Sequence, residues 1–191
     1  MSKHIAIISA ALGALALTAA TIASVSAQGK MKSEMSGEKT VMVGGAAMFP
    51  SRNIIQNAVN SKDHTTLVAA VKAAGLVSTL EGKGPFTVFA PTNSAFGKLP
   101  AGTVDNLVKP ENKPTLTRIL TYHVVPGRLE ASSLSDGKKL RTVEGEQLTI
   151  KRSGDKVMII DAKGDSATVT IPNVNQSNGV IHVVDTVLMP S

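Results

Sequence analysis

The spacing of apolar residues changes near Tyr122, and this change limits the folds open to the chain. Between residues 53 and 120, apolar residues recur at helical spacing, first at 54–59 and again at 67–74. From residue 140 onward, short β-branched runs alternate with turns at 144–145, 153–155 and 163–165, which is typical of antiparallel hairpins. Helices gathered in the first half and strands in the second predict an α+β domain.

Capping residues predict where the helices of the first half begin and end. Asp63 is a predicted N-cap, and Gly75 is the predicted stop of the same helix. A strand over residues 86–90 is predicted to lead into a helix capped by Thr92 or Asn93. Thr103 and Asn112 are further predicted caps, each at the start of a helical run, the second run ending near Leu120.

A further strand is predicted after the Asn178-Gly179 turn. Its apolar residues occupy both faces, so it is predicted to be buried on both sides; they are Val180, Ile181, Val183, Val184, Val187 and Leu188. His182 and Asp185 are three positions apart, and in a strand they point to opposite faces and cannot share a proton. His182 is therefore interpreted as a core histidine bonded to the backbone.

The N-terminus has the pattern of a secretory signal peptide over residues 1–27. Lys3 and His4 precede an uncharged run over 5–23, and small residues stand before Gln28. The alternative is an uncleaved membrane anchor, because the run is long enough to span a bilayer. The chain has no cysteine, so it has neither a thiol nucleophile nor a site for a cysteine-linked lipid. A secreted or periplasmic protein with no stable membrane span after cleavage is predicted.

Residues 28–50 are interpreted as a flexible leader that is partly packed on the domain from about residue 42. Four of the seven methionines lie here, at positions 31, 35, 42 and 48. Thioethers are soft ligands that suit Cu(I). No histidine or cysteine accompanies these methionines and their spacing has no repeat, so a plain leader is favoured over a metal site.

Charge and composition indicate the class of partner. The formal net charge is +6, and the basic residues are scattered rather than forming one long run. Only 3% of the residues are aromatic, so side chains that could stack on bases are scarce. A solvated basic surface, attracted to acidic polysaccharide or lipid headgroups, is favoured over a nucleic-acid-binding surface.

Catalytic motifs are missing from the sequence. Ser94, Asp161 and Asp185, together with the histidines at 123 and 182, supply the residue types of a hydrolase but none of its motifs. Asp161 and Asp165 flank a lysine in a predicted hairpin turn, which fits a solvated loop better than a calcium site. We predict no enzyme activity, no catalytic or metal-binding residues and no cofactor.

Three stretches together resemble the fasciclin domain: "GPFTVFAPTNSAFGKLP" at 84–100, "LTYHVVPGRL" at 120–129 and "SNGVIHVVDTVLMP" at 177–190. The likeness runs from about residue 53 to 190 and is closest to short bacterial secreted members with a single domain. It implies a fasciclin domain over residues 51–191, folded as a two-sheet β-wedge with a helical cap. The matching signature residues are Phe86, Thr87, Phe89, Ala90, Pro91, Thr92, Phe96, Asn178, Gly179, His182 and Asp185.

The resemblance also implies a function in contacts at cell surfaces or in matrix. Tyr122 and His123 match the motif that contributes to adhesion in some animal members. Where many members have Asp-Ile, this chain has Asn173-Val174, which weakens the case for integrin-type recognition. We therefore expect a non-enzymatic module whose unknown partner is a cell-surface or extracellular protein or polysaccharide. The alternative is a carrier of a lipophilic small molecule such as a carotenoid.

Tyr122 and His123 also have a predicted place in the fold. Pro126-Gly127 is predicted to end a strand over residues 122–125, so the two side chains are expected on opposite faces, one more buried than the other. We expect His123 to be the buried one, hydrogen-bonded so that it fixes the junction between helix and strand.

Overall fold

The computed structural model describes residues 38–191, which form one compact unit. Its helices are α1 (Ile54–Ala58), α2 (Thr65–Ala74), α3 (Val77–Glu81), α4 (Asn93–Gly97), α5 (Thr103–Leu107) and α6 (Lys113–Tyr122). Its strands are β1 (Val41–Val43), β2 (Ala46–Met48), β3 (Phe86–Pro91), β4 (Val124–Pro126), β5 (Lys139–Arg141), β6 (Gln147–Ser153), β7 (Lys156–Ile160), β8 (Ser166–Gln176) and β9 (Gly179–Val184). The predicted signal peptide and the methionines at 31 and 35 lie outside the described residues.

The main sheet has seven strands in the order β4-β3-β9-β8-β7-β6-β5, and only the β3–β9 pair among them is parallel. The long strand β8 pairs with β7 at its start and with β9 from Val169 to Gln176, with irregular register between Val169 and Val174. One strand thus belongs to both halves of a bent sheet. The N–H of Val143 donates to the carbonyl of Val124 across 2.8 Å, linking the region after β5 to β4. The predicted α+β class and β-wedge are confirmed.

Apolar side chains form two clusters on opposite sides of β3 and β9. Val88, Ile181 and Val183 pack with the helices, whereas Phe89 and Val184 pack inside the wedge between the sheet halves. Adjacent residues of a strand point to opposite faces, so β3 and β9 supply both clusters. This explains why both strands are near-continuous apolar runs in the sequence, as predicted for strands covered on both sides.

Helix ends differ in part from the sequence predictions. Thr92 caps α4, accepting a bond from the N–H of Ala95, and Gly75 ends α2 with φ of 75°. Asp63 is not the cap of α2, because it lies in a preceding 3-10 turn; the distant Asn93 accepts from the N–H of Thr66 instead. Thr103 and Asn112 also make no side-chain cap bond.

Residues 41–48, assigned to the leader from the sequence, form the β1–β2 hairpin. Val43 and Met48 are buried in the cluster beneath the helices, while Met42 is exposed. No helix among residues 38–191 is long and apolar enough to cross a membrane.

Candidate functional site

The Tyr122-His123 pair lies at a helix end, which corrects the prediction that it belongs to a strand. Tyr122 is the last residue of α6, His123 is the C-cap, and the strand begins only at Val124. The expected contrast in burial is wrong as well, since Tyr122 is 0% exposed and His123 is 2% exposed. The turn between helix and strand directs both side chains inward. The alternation of side chains between the two faces of a strand therefore does not apply to this pair.

Both ring nitrogens of His123 bond to main-chain groups. Nδ1–H donates to the carbonyl of Ile119 across 2.8 Å, and Nε2 accepts from the N–H of Leu188 across 3.0 Å. These partners fix one neutral tautomer. Burial lowers the pKa of His123 to about 4, and the Ile119 carbonyl and the charge of Asp161 offset the effect only in part. The ring therefore joins the end of α6 to the C-terminal segment.

The Tyr122 hydroxyl joins two other parts of the wedge. It donates to the carbonyl of Gln147 at 3.3 Å, at the start of β6, and accepts from the N–H of Ala162 at 2.8 Å, after β7. Burial raises the pKa of Tyr122 to about 12, and nearby acidic groups, including Asp161, add to the increase. The phenol is held neutral and has no face open to a partner.

His182 lies in β9 and is fully buried. Its Nε2–H donates to the carbonyl of Leu129 at 2.8 Å, and its Nδ1 accepts from the N–H of Asn173 at 3.3 Å. The ring stacks on Phe89 of the parallel neighbour β3, with centroids 5.8 Å apart. Burial lowers the pKa of His182 despite the Leu129 carbonyl.

Asp185 does not pair with His182, but the reason differs from the one predicted. Strand β9 ends at Val184, so Asp185, Val187 and Leu188 follow the strand instead of belonging to it. The Asp185 carboxylate accepts from the N–H of Thr168 at 2.8 Å. Partial burial opposes ionisation, but this bond, the Thr186 hydroxyl and Lys98 together lower the pKa of Asp185.

Asn178 connects three segments through one buried side chain. Its Oδ1 accepts from the N–H of Ile54 at the start of α1, and its Nδ2 donates to the carbonyls of Leu80 and Gly82 at the end of α3.

The Thr87 hydroxyl connects β3 to the segment that follows β4. It donates to the Gly127 carbonyl and accepts from the N–H of Leu129. The other signature residues in β3, α4 and β9 are buried or half-buried; they are Phe86, Ala90, Pro91, Phe96 and Gly179.

The sequence profile of the fasciclin domain matches residues 62–190. The chain belongs to the fasciclin family. It is 49% identical over 153 residues to Protein sll1483 of Synechocystis, covering 80% of this chain and 82% of that relative. The cell surface glycolipoprotein MPB83 of Mycobacterium bovis is 39% identical over 153 residues, covering 78% of this chain and 64% of that relative.

A solved pair of FAS1 domains from the insect cell adhesion molecule fasciclin I shares the fold. The TM-score is 0.66 at 19% sequence identity, and the match covers 74% of this chain and 52% of the insect chain. The match therefore supports the fold assignment from coordinates as well as from sequence.

This fasciclin domain does not bring the hydrolase-type residues together. Ser94 is exposed on α4, and no side-chain bond joins it to either histidine within residues 38–191. Asp161 is buried, and its carboxylate accepts from the N–H groups of Lys163, Asp165 and Met189 at 2.9–3.0 Å. Its oxygens thus order the turn after β7. No group of three or more metal-ligating side chains occurs in the described part of the chain.

Asn173-Val174, the pair that stands where many fasciclin domains have Asp-Ile, has a structural role in this domain. Asn173 has φ of 56°, a left-handed conformation that asparagine tolerates better than most residues. Its Oδ1 accepts from the N–H of Ala131 at 2.7 Å. Val174 is buried in the helical cluster, so this pair is used within the fold.

Sequence reasoning missed several buried polar residues. Asn57 on α1 bonds to both main-chain groups of Phe49 and donates to the side chain of Gln176 in β8. His64 is 4% exposed, and its Nδ1 lies 2.9 Å from the Ser61 hydroxyl. Burial lowers the pKa of His64, and the charge of the neighbouring Asp63 offsets the effect only in part. Asn57 and His64 lie in sequence segments with a helical pattern, and this pattern does not indicate which buried groups they contact.

An apolar cavity of about 80 Å³ lies between the β1–β2 hairpin, the helices and the β3–β9 face of the sheet. Val43, Met48, Leu67 and Ile181 are among its lining residues, and His64 borders it. The Nε2 of His64 is buried without a hydrogen-bond partner among the described residues. The cavity can hold a few small molecules the size of water, but its lining is apolar.

Proposed function

We propose that this fasciclin domain is a non-enzymatic interaction module that contacts a cell-surface, matrix or envelope component. The observation that carries the proposal is the use of the polar signature side chains inside the fold. Tyr122, His123 and His182 each bond to two main-chain groups and are buried. Contacts with other molecules are thus left to the outer surface of the domain.

The absence of a catalytic role is part of the proposal. A general base needs a nitrogen or oxygen free to take a proton from a substrate. The nitrogens of His123 and His182 are already bonded, and burial lowers the pKa of both rings. The carboxylates of Asp161 and Asp185 accept main-chain bonds. The names of two similar proteins, a cell surface glycolipoprotein and a cell adhesion molecule, support a contact function.

We propose that the protein is secreted or periplasmic. Residues 1–27 would be removed as a signal peptide, residues 28–50 would form the leader, partly packed on the domain from about residue 42, and residues 51–191 would form the fasciclin domain. Intact mass of the protein recovered outside the cytoplasm tests this. Cleavage before Gln28 supports the proposal, and an intact N-terminus in the membrane fraction contradicts it.

Binding to the envelope tests the interaction function. Labelled mature protein is mixed with the envelope fraction of its own source and sedimented, with increasing unlabelled protein as competitor. The proposal predicts saturable binding that the unlabelled protein displaces. Binding no greater than that of the labelled protein after thermal unfolding would contradict it.

A carrier of a lipophilic small molecule such as a carotenoid is the second candidate. The apolar cavity next to the hairpin is the observation in its favour. Pockets that enclose drug-sized ligands are about 300–1,000 Å³, so a cavity of about 80 Å³ would have to open by displacing the hairpin. Incubation with a carotenoid tests this: a saturable absorbance shift that is lost in Val43→Trp, which fills the cavity, supports the carrier.

A further inference from the structure

Four basic side chains lie on the outer face of the β5–β7 part of the sheet. The apolar residues that alternate with these basic residues along the strands are buried, so the basic side chains point to solvent. The buried residues are Leu140, Leu148, Ile150, Val157 and Ile159. The four are Lys139, Arg141, Lys151 and Lys156, and all are exposed. We call this set the basic row.

Strand register arranges the basic row as a diagonal line. In β5, Arg141 pairs with Gln147 of β6, and Lys139 pairs with Thr149 of β6. Lys151 lies in β6 itself, and Lys156 of β7 pairs with Ser153 of β6. The four cations therefore occupy successive positions two residues apart along β6, from 147 to 153. Two residues of strand span about 7 Å, so the row extends about 20 Å along the sheet while crossing three strands about 5 Å apart.

The basic row has no internal partner. None of its four side chains forms a salt bridge or side-chain hydrogen bond within residues 38–191. Neighbouring cations differ: Lys138 donates to the Ser133 carbonyl, and Arg152 donates to the carbonyls of Gly154 and Ala131. Arg118 is paired with Glu144 and Glu146. The row thus presents uncompensated positive charge.

Between the cations the face is partly apolar. Met158 lies opposite Lys151, and Ile160 lies opposite Thr149; all three neighbours of the row are half-buried. Amphipathic segments that bind membranes bury a wide apolar face in the lipid. The apolar side chains between these cations are instead half-buried in the sheet. A line of regularly spaced cations suits a polymer whose negative charges recur along an extended chain.

We propose that the basic row binds a linear anionic polysaccharide, laid diagonally across β5, β6 and β7. This deepens the proposed interaction function, on which it rests, by naming the surface and the chemistry of the partner. Carboxylate or sulfate groups of the polymer pair with the four cations, and the sugar rings lie against Met158 and Ile160. The contact weakens as salt is raised, because the charges are exposed and screened.

Binding of the mature protein to defined probes tests the proposal. The probes are a fluorescent heparin oligosaccharide, polygalacturonate, neutral dextran and vesicles containing phosphatidylglycerol. The test variant combines Lys139→Gln, Arg141→Gln, Lys151→Gln and Lys156→Gln. The matched control combines Lys62→Gln, Lys72→Gln, Lys83→Gln and Lys109→Gln, which removes the same charge from exposed positions outside β5–β7. Thermal unfolding checks that both fold, and a Lys151→Gln, Lys156→Gln double variant provides a milder change.

We expect the wild type to bind both anionic polysaccharides and not dextran. The test variant should bind roughly tenfold or more weakly, the double variant should be intermediate, and the control should stay within about twofold. Equal weakening in test and control variants, or stronger binding to vesicles than to either polysaccharide, would overturn the proposal. If the wild type binds its envelope fraction but neither polysaccharide, this inference alone fails; if it does not bind the envelope, the proposed function fails.

Discussion

Leu188 donates its main-chain N–H to Nε2 of His123 across 3.0 Å. Leu188 belongs to the last signature stretch and His123 to the central Tyr-His motif, so the bond joins these two stretches. The other ring nitrogen of His123 is bonded to the Ile119 carbonyl of α6. Two stretches that characterise the family are thus parts of one buried hydrogen-bonded connection. Their joint occurrence in the sequence has a structural explanation that needs no ligand.

Removing the His123 ring should destabilise the domain strongly. His123→Ala leaves the Ile119 carbonyl and the Leu188 N–H without their partner and opens a cavity, so the free energy of unfolding should fall by about 3–5 kcal/mol. Urea unfolding measures the change. Thr117→Ala, half-exposed on the same helix, is the control and should stay within about 0.5 kcal/mol of wild type. A loss below about 1 kcal/mol for His123→Ala would contradict this role.

The same residue should make stability depend on acid pH. The pKa of His123 is about 4 in the folded protein, below the 6.5 of an ordinary histidine, so the unfolded chain takes up a proton more readily than the folded one. Its contribution is complete above pH 6.5 and is lost as pH falls from there towards 4. A shift of this size corresponds to about 3 kcal/mol. Unfolding measured across this range should show a shallower slope in His123→Gln; an unchanged slope would refute the assignment.

Tyr122 can be followed directly, because it is the one tyrosine of the chain and there is no tryptophan. Since burial raises its pKa to about 12, the folded protein should show no phenolate absorbance near pH 10, where a free tyrosine is half ionised. Stability should fall as pH rises above 10, because the unfolded chain ionises first. Ultraviolet titration in water and in denaturant measures both states. A folded-state midpoint near pH 10 would show that the ring is not buried.

Asn178 should be far less tolerant of substitution than an exposed asparagine. Asn178→Ala removes three hydrogen bonds and leaves buried main-chain groups of Ile54 and Leu80 unpaired, so a loss of about 2–5 kcal/mol is expected in thermal or urea unfolding. Asn106→Ala, at an exposed helical position, is the matched control and should change little. Similar losses in both variants would argue against Asn178 as a specific connection.

The sequence was most informative where local patterns repeat. The hairpin turns after residue 140, the β3 strand and the Thr92 cap all follow from short-range chemistry, and the structure contains each of them. The α+β class was predictable for the same reason. The two-sided burial of β9 followed from its continuous apolar run.

Long-range contacts set the features that were predicted wrongly. Asn93 replaces Asp63 as the partner of α2 because the fold brings a residue of another helix to that end. Tyr122 and His123 point inward together because α6 continues to Tyr122 and the backbone turns before β4. The basic row required the strand register, since Lys139 and Lys156 are distant in sequence and align only through β6.

The buried polar signature side chains of this domain find their hydrogen-bond partners within the fold, so we expect no ligand in the interior and a partner at the outer surface. Native mass spectrometry with an absorbance spectrum, on mature protein purified from its own envelope fraction, tests this most directly. We expect the mass of the processed chain alone and no visible absorbance. A small molecule that stays bound, above all one with visible absorbance, would contradict it and would direct attention to the cavity beneath the β1–β2 hairpin.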